Sequence, residues 1–265
     1  MGRQSLKSVL RMVDEANSQL PVEQSFLADL KRSIELTAEK NKRLPSQTYK
    51  PSSMNCPRNM YYQVKGVEPQ ESQTYTSVGI CNSGSDIHQR IQQAVLDMKE
   101  NGFDCEYIKV SDYVRSRNLD YLEIVKEPDF EHRDYETKLY DKNLNMSFLC
   151  DGIIRYKDKY YILELKTEAS FKFNSRSDVD TKHHNQGTAY SHEFGIDDVI
   201  FIYVNRDILD MKPYMFHVTS AMREELVNNI KAVDSYVQKD EVPPKPNLPA
   251  RACTYCGYKW RCDND

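Results

Sequence analysis

Residues 146–167 read Met146-Ser-Phe-Leu-Cys150-Asp151-Gly152-Ile-Ile-Arg155-Tyr-Lys157-Asp158-Lys159-Tyr-Tyr-Ile162-Leu163-Glu164-Leu165-Lys166-Thr167. Two runs rich in apolar and β-branched residues, 146–157 and 159–167, flank a tight turn at Lys157-Asp158-Lys159, so the chain is predicted to return alongside itself as paired strands. Alternate side chains on a strand share a face. Glu164 and Lys166 therefore point one way, and Leu163 and Leu165 point into the opposite packing layer. The return brings Asp151 towards Glu164, and two carboxylates and a lysine converge on one spot.

That set suits the hydrolysis of a phosphodiester. Carboxylate oxygens hold a hard divalent ion such as magnesium or manganese. The ion polarises the phosphate and acidifies a bound water, while a lysine orients that water or neutralises charge developing on the phosphate. A surface hairpin with a Glu–Lys pair accounts for Glu-x-Lys taken alone. An aspartate upstream in apolar flanks shifts the balance towards a site.

Outward from this hairpin, 134–140 reads as a further strand, 176–194 as a helix, 198–205 and 213–218 as strands, and 219–238 as a long helix. Strands, then helix, then strand imply an α/β core with helical decoration. Upstream, 5–17 and 22–42 read as amphipathic helices split at Leu20-Pro21, with Leu27, Leu30, Ile34 and Leu36 as an apolar stripe. A loop precedes a helix predicted over 84–100, and 103–130 is the least legible stretch, an inserted strand or short helix. The proline-rich run Glu241-Val-Pro-Pro-Lys-Pro-Asn-Leu-Pro249 is an extended linker to a cysteine-rich tail at 251–265. The division expected is a helical extension over 1–50 and one domain over 51–265.

Further side chains fall into order around the hairpin. Gly84-Ser-Asp-Ile-His88 places a histidine one turn beyond a glycine at a helix start, and Gln186 and Tyr190 share a helix face at i, i+4. Singly, each is unremarkable. In chain order, Gly-x3-His, Asp-Gly, Glu-x-Lys and Gln-x3-Tyr over 84–190 resemble the RecB-like branch of the PD-(D/E)xK nucleases. The resemblance implies a restriction-endonuclease-like core, a mixed central sheet flanked by helices. It implies that His88, Asp151, Glu164 and the backbone carbonyl of Leu165 bind magnesium or manganese. Lys166 would be catalytic, with Gln186 and Tyr190 lining the DNA path and steadying the site. Glu136 falls where many relatives carry an extra acidic residue, although an exposed strand glutamate is the simpler reading.

The tail carries Cys253-x2-Cys256-x5-Cys262. So short a segment needs a metal or cluster to be ordered, and spacing alone does not separate a zinc site from an iron–sulfur cluster. A distant Cys56 in Cys-Pro-Arg, followed by this trio after the core, resembles the iron–sulfur nucleases: the AddB nuclease domain, the CRISPR-associated RecB-like exonucleases and their phage relatives. The resemblance implies a [4Fe–4S] cluster on Cys56, Cys253, Cys256 and Cys262 that closes the two ends of the domain. Cys81, Cys105 and Cys150 read as ordinary thiols.

The net charge of −4 and pI near 5.9 argue against a protein that coats nucleic acid non-specifically, without excluding a site whose carboxylates await a cation. Candidate phosphate contacts are Lys172, Arg176 and Lys182, then His183-His184, with Arg58 a weaker one. Other basic clusters, at Lys40, Lys42 and Arg43 and at Arg155, Lys157 and Lys159, read as solvated charge. No apolar run approaches a membrane span and residues 1–20 lack the unbroken apolar core of a secretory signal, so a reducing cytoplasm is expected, where seven cysteines point to metal ligands and buried thiols rather than disulfides. The expected activity is a deoxyribonuclease, an exonuclease on single-stranded DNA or DNA ends. No Gly-x4-Gly-Lys-[Ser/Thr] loop is present, so a helicase, recombination or CRISPR partner would supply the strands. The competing reading is a cluster-bearing module that binds DNA ends with little nuclease activity of its own.

Overall fold

The computed structural model describes residues 21–42, 44–70, 73–248 and 250–265; the helix expected over 5–17 and Arg43 lie outside them. The described residues form two compact units, one from those up to Leu44 with those of 71–82, the other from Pro45–Gln70 and Ser83–Asp265.

In the first unit, helix α1 (Val22–Lys40) starts after Pro21 and buries none of its residues. Its stripe is exposed, Leu27, Leu30 and Leu36 included. The Tyr75 amide donates to Glu35 Oε1 at 3.1 Å, and Lys31 lies over the Tyr75 ring at 4.6 Å.

The second unit holds everything that builds the site. Its five-stranded sheet has the order β1 (Cys105–Ile108), β5 (Gly152–Tyr156), β6 (Lys159–Glu168), β7 (Asp198–Asn205), β8 (Met211–His217). Only β6 and β7 run parallel, with Glu164 opposite Phe201; the remaining pairs are antiparallel. A parallel pair needs a crossover, supplied by α5 (Ser170–Ser175) and α6 (Thr181–Phe194). A smaller sheet pairs β2 (Leu122–Lys126), β3 (Thr137–Asp141) and β4 (Met146–Cys150).

Strand alternation sets two apolar layers. Ile162, Val199, Phe201 and Tyr203 join Ala189, Tyr190 and Phe194 of α6 and Leu226, Ile230 and Val233 of α7 (Ser220–Lys239). Leu163, Leu165, Ile200 and Ile202 turn to the other face, against Ile91 and Val95 of α3 (Tyr75–Glu100). The mixed sheet flanked by helices agrees with the expected fold class.

Several boundaries differ from expectation, and the helix predicted over 176–194 starts only at Thr181, with Asp180 as its N-cap. The run 146–157 is two strands in two sheets rather than one, because the Asp151 carbonyl accepts from Gln92 Nε2 and Tyr107 Oη, both at 2.7 Å, instead of from a strand. Helix α3 begins at Tyr75 rather than Gly84, which places His88 well inside it. Gly84 lies in its interior because a Cβ there would sit 3.2 Å from Thr167 Oγ1, so packing overrides the poor helical propensity of glycine. The stretch 103–130 resolves into β1, α4 (Val110–Ser116) and β2.

The cysteine-rich tail is held on α2 (Pro57–Val64), whose N-cap is Cys56. Buried Arg58 donates from Nε to the Pro243 carbonyl at 2.8 Å and from Nη1 to the Cys262 carbonyl at 2.9 Å. Tyr62 Oη donates to Asp265 at 3.0 Å, and Tyr258 packs on the Tyr62 ring. Arg58 is thus internal to the tail's attachment, not a surface contact. Residues 241–248 form neither helix nor strand, as expected of the linker.

Glu193, on α6, is fully buried beside Asp141, where its carboxyl finds no donor and can bond to Asp141 only by holding a proton. Burial, and then the charge of Asp141, raise its pKa from 4.5 to about 9. Between those values the folded chain holds a proton that the unfolded chain releases, so stability falls as pH rises through the window, by roughly 1.4 kcal/mol per unit. Glu193→Gln removes this ionisation. Thermal melts from about pH 5 to about pH 9 are expected to show a shallower decline in the variant, and parallel curves would contradict that account.

Candidate metal-binding active site

The break between β4 and β5 makes the site. The last antiparallel pair of β5 with β6 is Gly152 with Leu163. Beyond it the Leu165 amide loses its strand partner, and Asp151 Oδ2 accepts its hydrogen at 2.6 Å. Asp151 Oδ1 faces His88 Nδ1 of α3 at 3.2 Å. Glu136, just ahead of β3, completes a trio: one ligand atom each from His88, Glu136 and Asp151 lie within 4.8 Å of one another. Glu136 is therefore half-buried at the site, not an exposed strand glutamate.

Glu164 and Lys166 share the face of β6 that looks towards α6. Lys166 Nζ donates to Glu164 Oε1 at 2.5 Å and to Gln186 Oε1 at 2.9 Å. Gln186 Nε2 donates to Glu164 Oε1 at 2.7 Å and lies 2.9 Å from Tyr190 Oη, which in turn donates to the Leu149 carbonyl at 2.6 Å. One chain of hydrogen bonds thus runs from β6 through α6 to β4. Tyr190 is 3 % exposed, its hydroxyl held between Gln186 and the Leu149 carbonyl, and it does not border an open path. Glu164 Oε2 is buried with no protein partner.

The titration of these groups follows from carboxyl crowding in a buried place. Burial raises Glu136 to about 8, with the Asp151 charge adding to it. Burial likewise raises Glu164 to about 7, against the pull of Lys166. Burial opposes the charged forms of Asp151 and His88 as well, yet their mutual attraction prevails and lowers Asp151 while raising His88. Lys166 is raised in spite of burial by Glu164 and Asp151. Without a cation, then, two of the three carboxyls favour their protons, which is what a donor set short of positive charge does.

Two buried residues that sequence reading missed hold Asp151 by its backbone. Gln92 stands at i+4 from His88 and so on the same helix face, a legible signal. Tyr107 comes from the least legible stretch and had none. Its ring also explains Gly152, where a Cβ would lie 2.6 Å from Tyr107 Cε2.

The expected phosphate contacts separate into kinds. Arg176 is buried, paired with Glu168 and Asp180, and stacked on Tyr203 at 3.9 Å, so its charge is spent within the protein. Lys172 bridges Glu168 at 2.7 Å and Asp180 at 2.9 Å. His183 packs on Phe201 and Tyr203, with burial first and then Lys166 lowering it to about 2, and His184 stacks on Phe216 at 4.6 Å. Lys182 instead lines a cleft of about 450 Å³ with Lys166 and Gln186 on one side and Asn55, Cys56, Cys253, Tyr255 and Cys256 on the other.

The four candidate cysteines line an adjoining cavity of about 250 Å³, with Arg58, Tyr62 and Tyr258 in its wall, and Cys56, Cys253 and Cys256 border both. Arg58 Nη1 lies 3.5 Å from Cys262 Sγ, and Asn59 Nδ2 lies 3.8 Å from Cys256 Sγ. Cys105 and Cys150 are buried elsewhere. Among the described residues, no helix is long and apolar enough to cross a membrane.

No protein-family model matches the chain, and no curated protein matches it. Among solved structures, the protein SSO0001 overlaps it with a TM-score of 0.47 at 17% identity, over 91% of this chain and 98% of that one. An alkaline exonuclease (LHK-Exo) from Laribacter hongkongensis overlaps with a TM-score of 0.37 at 10% identity, over 74% of this chain and 90% of the exonuclease. The same enzyme in complex with dAMP gives 0.36 at 9% identity, over 73% and 89%. Overlaps this loose carry no residue-level conclusion, and the chemistry rests on the geometry above.

Gly152→Ala is expected to force Tyr107 from its hydrogen bond to Asp151, at the usual overpacking cost of about 1–3 kcal/mol. Urea denaturation measures it. An unchanged midpoint would mean that the Tyr107 ring yields without loss.

Proposed function

We propose that this chain is a metal-dependent deoxyribonuclease, an exonuclease acting on single-stranded DNA or DNA ends, that also carries an iron–sulfur cluster. One observation carries the reading: a buried carboxylate oxygen of Glu164 without a partner, on the strand whose Leu165 amide caps Asp151. An unpaired buried acceptor costs stability unless something fills it, and a hard cation suits an all-oxygen and imidazole set.

His88, Asp151 and Glu164, with the Leu165 carbonyl, would hold magnesium or manganese, and Glu136 is the further ligand within reach. When bound, the ion polarises the phosphate and acidifies an attacking water. Lys166, aimed by Gln186 and Glu164, donates to that water or to a phosphate oxygen. Tyr190 acts through Gln186 as a positioning residue. The chain has no nucleotide-hydrolysing loop, so ends or single strands come from a helicase, recombination or CRISPR partner.

For the cysteines the cavity favours a cluster over zinc. A single zinc ion, with Zn–S of about 2.3 Å, needs its sulfurs within roughly 4 Å of one another. Among the described residues the group with ligand atoms that close is the His88 trio, not the cysteines. Sulfurs spread around a cavity suit a polynuclear cluster that ties α2 to the tail.

End-labelled single-stranded and duplex DNA, incubated with manganese, magnesium or EDTA, tests the hydrolysis. Metal-dependent degradation is expected from the wild type, and at least about a hundred-fold less from Glu164→Ala. DNA binding without cleavage in every metal would replace this reading with the end-binding module.

Anaerobically purified protein is expected to be brown, absorbing near roughly 400 nm, and Cys256→Ser to lose the colour. A colourless protein that holds stoichiometric zinc would overturn the cluster.

A further inference from the structure

Tyr255 is 98% exposed, yet it stands in a short turn closed by the Cys256 amide and the Cys253 carbonyl at 3.3 Å. A large ring held open to water at a fixed place forgoes the burial that normally accompanies an aromatic side chain. The ring lines the same cleft as Lys166, Gln186 and Lys182. The segments that contribute to it are tied to one another: Asn55 Nδ2 donates to the Lys182 carbonyl at 2.7 Å, and Asn185 Nδ2 donates to the Met54 carbonyl at 2.8 Å. The cleft thus brings two cations, Lys166 and Lys182, and an open aromatic ring into one lining.

We infer that Tyr255 is a stacking platform for a base of a single strand lying in this cleft, with Lys182 meeting its phosphates between the ring and Lys166. The inference rests on the nuclease reading of the site and adds the course of the strand and the residue that fixes it. Nucleic-acid channels combine these two parts, a charged track and aromatic faces that accept any base. A duplex presents its bases stacked and paired, so a lone ring reads an unpaired base.

The test is binding in EDTA, so that nothing is cleaved, with oligothymidylates carrying one 2-aminopurine at successive distances from the end. Quenching by the wild type is expected at one fixed distance. Tyr255→Phe should keep both quench and affinity, while Tyr255→Ala should lose the quench and bind about ten-fold more weakly. The ring is exposed, so the variant's melting temperature should match the wild type and report an intact fold. Equal affinity and equal fluorescence in Tyr255→Ala, or no single-strand binding by the wild type, would overturn the inference. If the quench persists in a protein that cleaves nothing in any metal, the channel stands and the hydrolytic reading alone falls.

Discussion

The Asp151 carboxylate is the constraint on which the rest of the second unit turns. Strand β6 outlasts β5 by the length of the site, and the Leu165 amide would be left buried without an acceptor. Asp151 Oδ2 supplies one at 2.6 Å, which discharges the obligation of a buried main-chain donor. The carbonyl of the same residue takes two side-chain hydrogens, from Gln92 and Tyr107, and so cannot continue a ladder. The chain therefore leaves the three-stranded sheet and enters the five-stranded one at this point. A carboxylate that must sit here for the sheet also has an oxygen left to face His88, so the scaffold and the site share a side chain.

Helix α6 carries this constraint outward. Gln186 and Tyr190 bind Glu164, Lys166 and β4 on one side. From the same helix, Asn185 and the Lys182 carbonyl bind residues 54–55, immediately before Cys56. The carboxylate site and the cysteine cavity are consequently two ends of one rigid arrangement. If the four cysteines are bridged, a loop of roughly two hundred residues is closed, and such a closure acts mainly by restricting the unfolded chain. Arg58 already ties α2 to the linker and to Cys262 by its guanidinium.

Much of this was legible because strands alternate. Glu164 and Lys166 against Leu163 and Leu165, the turn at 157–159, and the face shared by Gln186 and Tyr190 follow from periodicity alone. The break at Asp151 does not, since residues 146–157 keep an unbroken β-like composition and only tertiary donors interrupt the ladder. The start of α3 was hidden by its glycines: Gly84 read as the helix start and Gly79 as loop, whereas the helix runs through both from Tyr75. Arg176 and Lys172 were readable in part: Glu168 precedes Lys172 by four residues and Asp180 follows Arg176 by four, spacings that pair charges on helices. Their neutralisation by these acids is why basic residues beside a catalytic strand need not meet a phosphate. Glu136 was misplaced because its backbone lies before the strand, where alternation has no say.

The acidic balance of the chain is then a local matter. Lys172, Arg176, Arg155 and Lys159 are engaged by Glu168, Asp180, Glu106 and Asp198, so these four cations act on their own acidic neighbours first. At the site three carboxyls face one imidazole and one ammonium. Asp151 keeps its charge because His88, Lys166 and the Leu165 amide all favour the anion, whereas Glu136 and Glu164 are driven to hold protons. That unequal sharing measures how much positive charge the protein itself fails to provide. A divalent cation has the charge to displace both protons, and the partnerless oxygen of Glu164 has nothing else to bind. With those protons in place Asp151 is set against His88 and Lys166, so the site would not repel a strand held by Lys182 and the exposed ring of Tyr255 before a cation binds.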